Sequence, residues 1–137
     1  MDSEYDIVIV GGGMVGASLA LCLSQQLSAQ TRIMLVESFP FPEQNEQWQK
    51  NYSPSFDARS TALSYSSRII YEHLGLWSIL AARLCPINAI HVSDRGHIGS
   101  AALHAQDTAW DALGYVVENA WLGQILIRQL QIEHRIE

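Results

Sequence analysis

The chain has 137 residues, 48% hydrophobic and 16% charged, with a net charge of -6. That length bounds it to one domain with a buried core. One lysine (Lys50) and seven arginines, with no basic stripe among them, argue against a nucleic-acid partner.

The first predicted element is a strand over Tyr5–Val10, β-branched, short, and apolar on both faces like a central strand of a parallel sheet. A helix follows from Met14 to about Ser28, with Val15, Leu19, Leu23 and Leu27 spaced four apart. Ala17 and Ala20 on it are small enough for close packing on the sheet. A second strand runs from Arg32 to Glu37, and the connection is long enough for a right-handed parallel crossover. Residues Ile7–Thr31 carry no charge and superficially resemble a signal peptide or a membrane span. The acidic flank Asp2, Glu4 and Asp6 opposes the first reading, and Gly11, Gly12 and Gly13 interrupt the second. With no targeting segment evident, the expected compartment is the cytoplasm.

Phe39–Asp57 holds Pro40, Pro42 and Pro54 and reads as an unusually long loop. Ser60 is placed as the N-cap of a helix to about Leu74, ended by Gly75. A short helix over Leu76–Leu84 follows. Strands are expected at Ile87–Ser93 and Ser100–His104 around the turn Asp94–Gly99, and again at Tyr115–Glu118. The last helix runs from Asn119, read as its N-cap, to Gln131, with Leu122, Ile125, Leu126 and Leu130 on one face. After it comes Ile132–Glu137, and a βαβ fold would next need another parallel strand. Its absence suggests the N-terminal part of something longer, with an open sheet edge that favours self-association.

Gly11-x-Gly13-x-x-Gly16 fits the dinucleotide fingerprint. The first glycine permits a tight turn, the second a close approach to pyrophosphate, and the third close helix–strand packing. Amides near Met14 and Val15 then face the phosphates at the positive end of the helix. Glu37, 21 residues after Gly16, can accept hydrogen bonds from an adenosine ribose and would repel a 2′-phosphate. The fingerprint alone leaves FAD and NAD open. Arg59 could return to the cofactor and offset pyrophosphate charge, or it could be a surface arginine paired with Asp57. His91, His97 and His104 lack the spacing of a metal site, so no metal is expected. Cys22 and Cys85 read as reduced packing thiols, and Trp48, Trp77, Trp110 and Trp121 as packing groups. No catalytic side chain stands out.

Five segments occur in order: Ile9-Val-Gly-Gly-Gly-Met-Val-Gly-Ala17, Phe56-Asp-x-Arg59 with Ala62-Leu63, Leu74-Gly-Leu-Trp77, His91-Val-Ser-Asp-Arg-Gly-His97 and Gly114-Tyr-Val-Val-Glu-Asn119. Their succession resembles the ubiquinone-biosynthesis branch of the class A flavin monooxygenases. The His91–His97 segment is similar to that of the 2-polyprenyl-6-methoxyphenol hydroxylases. The resemblance implies an α/β fold: a Rossmann-like FAD-binding βαβ with a parallel sheet, plus the start of an antiparallel substrate-domain sheet. Residues 1–137 would be the N-terminal part of the FAD-binding domain, with about 86–118 an excursion into the substrate domain. Relatives run to roughly three times this length, in keeping with multi-domain size. Gly11, Gly13, Met14, Val15, Gly16 and Glu37 would bind the ADP half of FAD, and Arg59 would reach the pyrophosphate and flavin side. Asn119 stands where many relatives have an arginine at the start of this helix, and the resemblance places it with the cofactor-binding residues. NAD(P)H would be the reductant and a polyprenylated phenol the substrate. Peripheral membrane contact and association with other ubiquinone-pathway enzymes are implied for the full-length protein. The rival readings are an NAD-dependent dehydrogenase or other flavin oxidoreductase, and a stand-alone non-catalytic nucleotide-binding module.

Overall fold

The computed structural model describes residues 4–41 and 56–137. Strand β1 (Ile7–Val10) pairs in parallel with β2 (Ile33–Val36), Ile7 opposite Ile33 and Val10 opposite Val36. Helix α1 (Met14–Gln26) makes the crossover. Its fully buried positions are Ala17, Ala20, Leu21 and Ser24, while Val15 and Leu19 face outward. The small residues let α1 sit against the sheet and against the last helix at once.

A third parallel segment is present, contrary to the expectation that it would be missing. The Ile33 and Leu35 amides donate to the carbonyls of Arg135 and Glu137 at 3.2 and 2.7 Å, and the Glu137 amide returns a bond to Ile33 at 2.9 Å. Residues 135–137 thus extend the sheet beyond β2, with Ile136 bridged to Ile33. Tyr5 Oη and Arg32 both donate to the Glu137 carboxylate, at 2.6 and 3.3 Å. The expected burial of the first strand on both faces is also corrected. Ile9 is buried, but Val8 and Val10 are 55% and 83% exposed, because α1 covers one face only.

The segment after Phe56 departs from the expected helix. Ser60–Ser64 is strand β3, antiparallel to β7 (Gly114–Glu118), which pairs on its other side with β4 (Leu84–Ile87). Helix α2 (Tyr65–His73) begins four residues later than the Ser60 cap implied. Its N-cap is Ser64, whose hydroxyl accepts the Ser67 amide at 3.2 Å. Burial of Leu63 and Val117 on the paired strands outweighs the local capping signal at Ser60. Gly75, at φ +72°, ends the helix as expected, in the left-handed conformation that suits glycine. The predicted helix over Leu76–Leu84 is shorter: α3 (Trp77–Leu80), a 3-10 turn at Ala81–Arg83, then β4. Pro86 is tolerated in β4 because that strand lies at the sheet edge.

Strands β5 (Ala89–Ser93) and β6 (Ser100–His104) form a separate two-stranded hairpin, exposed along its whole length. Helix α4 (Asn119–Ile132) buries Leu122, Ile125, Leu126 and Leu130 as expected, and Ile127 too. Asn119 is its first helical residue and Glu118 the N-cap position, so Asn119 is not the cap. The Phe56 ring lies over Gly123 of α4, where a Cβ would stand 2.2 Å from its Cγ. That contact anchors the chain as it enters the segment before β3. Of the predicted loop Phe39–Asp57, residues 42–55 lie outside the described residues, as does Trp48. Trp77 packs edge-on against Tyr115, and Trp121 donates to the Leu80 carbonyl at 3.3 Å. Among the described residues, no helix is long and apolar enough to cross a membrane.

Candidate functional site

At the end of β1 the chain turns sharply into α1. Gly11 sits at φ +101°, and its amide donates to the Val36 carbonyl at 2.8 Å, which ties the turn to the end of β2. Gly13 occupies the N-cap position of α1 and offers no side chain to the first-turn amides. The amides of Met14, Val15 and Gly16 precede any helical acceptor; the first helical bond is that of the Ala17 amide to the Gly13 carbonyl. Gly16 is where the geometry is least forgiving: a Cβ there would lie 1.8 Å from the Gly11 carbonyl oxygen. An open cleft of about 510 Å³ runs along this turn. Gly11, Gly13, Met14, Val15 and Gly16 all line it, joined by the apolar Ile9, Val10 and Leu19. The sequence pattern therefore named five neighbours of one cleft.

Glu37 arrives at the same turn from the end of β2. One carboxylate oxygen accepts the Gly12 amide at 2.6 Å. The other accepts the amides of Ser38 and Phe39, at 2.7 and 3.2 Å, and the Ser38 hydroxyl at 3.0 Å. The Gly12 amide chiefly, and the Ser38 and Phe39 donors after it, hold this carboxyl below the usual range.

Arg59 and Asn119 stand elsewhere, in a knot that joins the start of β3 to the start of α4. The Arg59 guanidinium is exposed and bonded to Asp57 at 2.7 Å, the pairing weighed above as the alternative to a cofactor contact. The Arg59 amide also donates to Asp57, and the Asp57 carboxyl is lowered by it and by the guanidinium. Asn119 is buried; its Oδ1 accepts the Thr61 hydroxyl at 2.7 Å, and its amide donates to the Arg59 carbonyl at 2.8 Å. A second cleft, about 370 Å³, begins next to this knot. Thr61, Ala62 and Leu63 of β3 face Met14, Val15 and Ser18 of α1 across it, with Tyr71 of α2 bonded to Ser18 at 3.0 Å. No local signal marks Ser18, Thr61 and Tyr71 as neighbours of one cleft, because three elements meet there only in the fold. Among the described residues, no cluster of three or more His, Cys, Asp or Glu could hold a metal ion.

A turn with no room for a Cβ at Gly12 or Gly16, first-turn amides that precede any helical acceptor, and an acid after β2 fit the diphosphate of a dinucleotide. The chain is 30% identical to the ubiquinone hydroxylase UbiL of Rhodospirillum rubrum, over 94% of this chain and 28% of that protein. It is 32% identical to the 3-demethoxyubiquinol 3-hydroxylase of Escherichia coli, over 96% of this chain and 31% of that one. With the mitochondrial ubiquinone biosynthesis monooxygenase COQ6 of Xenopus tropicalis the identity is 31%, over 93% and 26%. The chain thus spans about 30% of the length of these relatives. Among solved structures, the fold is shared with the p-nitrophenol 4-monooxygenase PnpA of Pseudomonas putida (TM-score 0.66, 22% identity, 100% of this chain and 32% of that one). It is shared as well with the flavin-dependent monooxygenase PieE, solved with FAD and substrate (TM-score 0.64, 17% identity, 98% and 23%). The pattern of the FAD-dependent oxidoreductases (DAO) matches residues 6–131, nearly the whole chain, and by that match and the turn that carries it this chain belongs to the FAD-dependent oxidoreductase family.

Proposed function

We propose that this chain forms the FAD-binding N-terminal portion of a monooxygenase that hydroxylates a polyprenylated phenol in ubiquinone biosynthesis. The observation that carries the reading is the glycine turn, with Gly16 against the Gly11 carbonyl and the first-turn amides of α1 open to the 510 Å³ cleft. Gly11, Gly13, Met14, Val15 and Gly16 would hold the pyrophosphate, and Glu37 would face the adenosine side. Arg59 would leave Asp57 to meet phosphate charge, and Asn119 would hold the backbone of Arg59 in place. When bound, the flavin supplies the redox chemistry, with NAD(P)H as the reductant and oxygen as the source of the hydroxyl group. The protein residues bind, orient and exclude water. The exposed β5–β6 hairpin would be the start of the substrate-domain sheet, within an excursion at about residues 86–118. Substrate class and pathway follow the named activities of the curated relatives, and peripheral membrane contact follows from a polyprenyl substrate.

Titration of the purified chain with FAD, followed by flavin fluorescence, tests the cofactor. Saturable binding that excess NAD does not displace is the expected result. Binding of NAD with none of FAD would overturn it in favour of a dehydrogenase. The chain spans about 30% of the length of its curated relatives, so by itself it should oxidise no NAD(P)H in response to a phenol.

A further inference from the structure

Gly12 is the free position of Gly11-x-Gly13, and the fingerprint asks nothing of it. Its φ is not positive, so conformation does not demand glycine there either. Space does. A Cβ on Gly12 would stand 2.7 Å from Cζ of Phe41, and 3.1 Å from both Phe41 Cε1 and Glu37 Oε2. The Phe41 ring packs against the core from one direction, and the Glu37 carboxylate bonds the Gly12 amide from another. That bond, at 2.6 Å, is charge-assisted and therefore stronger than a neutral one. Glu37 is fixed in turn by three donors from Ser38 and Phe39. With Gly12 they place four protein donors on the carboxylate, three on Oε1 and one on Oε2.

From this arrangement we infer that Glu37 is a positioning residue, which with Phe41 braces the glycine turn in its diphosphate-binding shape whether or not it touches a ribose. The inference rests on the reading of the turn as a diphosphate site. Because the Gly12 amide already holds Oε2 and three donors hold Oε1, Glu37 acts on the ligand through the turn even where the second lone pair of Oε2 meets a ribose hydroxyl. Replacing it with glutamine sets an amide N–H against one of those donors, so even this near-isosteric change undoes the brace.

The test compares ADP with 2′,3′-dideoxy-ADP, which lacks the ribose hydroxyls, on the wild-type chain and on Glu37→Gln and Gly12→Ala. Both substitutions are expected to weaken the dideoxy ligand as well as ADP, by about tenfold or more. If Glu37→Gln weakens ADP and leaves the dideoxy affinity unchanged, the residue is only a ribose contact and the brace is wrong. A ligand-free readout runs beside it. The Gly12 amide proton, bonded to a carboxylate, should resonate far downfield and move upfield in Glu37→Gln. In Gly12→Ala, adding Phe41→Ala should restore part of the lost affinity by making room for the methyl group. An unmoved Gly12 resonance in Glu37→Gln overturns the inference. If the wild-type chain binds no ADP, the proposed function fails, and the amide resonance alone then decides the brace.

Discussion

A methyl group at Gly16 would have to occupy the same space as a backbone oxygen, and no side-chain rotamer relieves that. The 1.8 Å approach to the Gly11 carbonyl means that the turn or α1 itself must move. Gly16→Ala should therefore destabilise the chain by at least about 1–3 kcal/mol, the usual cost of overpacking. A urea titration checks this, and an unchanged midpoint would refute it. FAD affinity should fall in the same variant. Gly11, Gly13, Met14, Val15 and Gly16 were readable in the sequence because they lie within six consecutive residues and their constraint is local. Gly12, Ser38 and Phe41 were not, because what they do depends on the end of β2 coming back to the turn. Glu37 was read as a ribose acceptor; its bond to Gly12 could not be seen without the turn in three dimensions.

Ser60 and Ser64 are both plausible caps by composition, and strand pairing decides between them. Ser60 lies opposite Glu118 in the β3–β7 ladder, while Ser64 ends the strand and turns its hydroxyl to the Ser67 amide. Ser64→Ala should cost about 1 kcal/mol by loss of this cap, whereas Ser60→Ala should change stability by less than about half that. Equal effects in thermal melts would contradict the assignment. Helix α2 is further held by Arg68, which bonds Glu72 one turn on at 2.7 Å, the Tyr115 hydroxyl at 2.5 Å, and Asp111. These charged partners push the guanidinium pKa upward, Asp111 first. Tyr65 stacks on Trp110 at 4.8 Å alongside, so α2 is bound to the segment that leads into β7. Elements with a complete local signature, such as α1 and α4, were legible to within a few residues. β3 and β4 were not, since each owes its form to β7, a strand far along the chain.

For the molecule as a whole, several acids are held below their ordinary range by bonds present only in the fold. The donors are the Gly12 amide for Glu37, the Arg59 amide for Asp57, Arg68 for Asp111 and the Tyr5 hydroxyl for Glu137. A folded pKa below the unfolded value means stability that is complete above the unfolded pKa, about 4 for these groups, and lost as pH falls through the folded values. The urea midpoint should accordingly stay level from neutral pH to about 5 and drop below about 4. A midpoint that rose on acidification would show that relief of the -6 net charge outweighs these bonds.

The third parallel segment changes how the molecule must be assembled. Strands β1 and β2 are joined by one helix and are near neighbours in sequence. The pairing of Ile33 with Ile136 instead closes a loop of roughly 100 residues, whose entropic cost exceeds that of the first crossover. Helix α4 packs on α1 and carries residues 135–137 to the edge of β2, where their backbone bonds and the packing of Ile136 on the core offset that cost. The sheet has one local crossover and one distant addition, and the distant one joins the two ends of the topology.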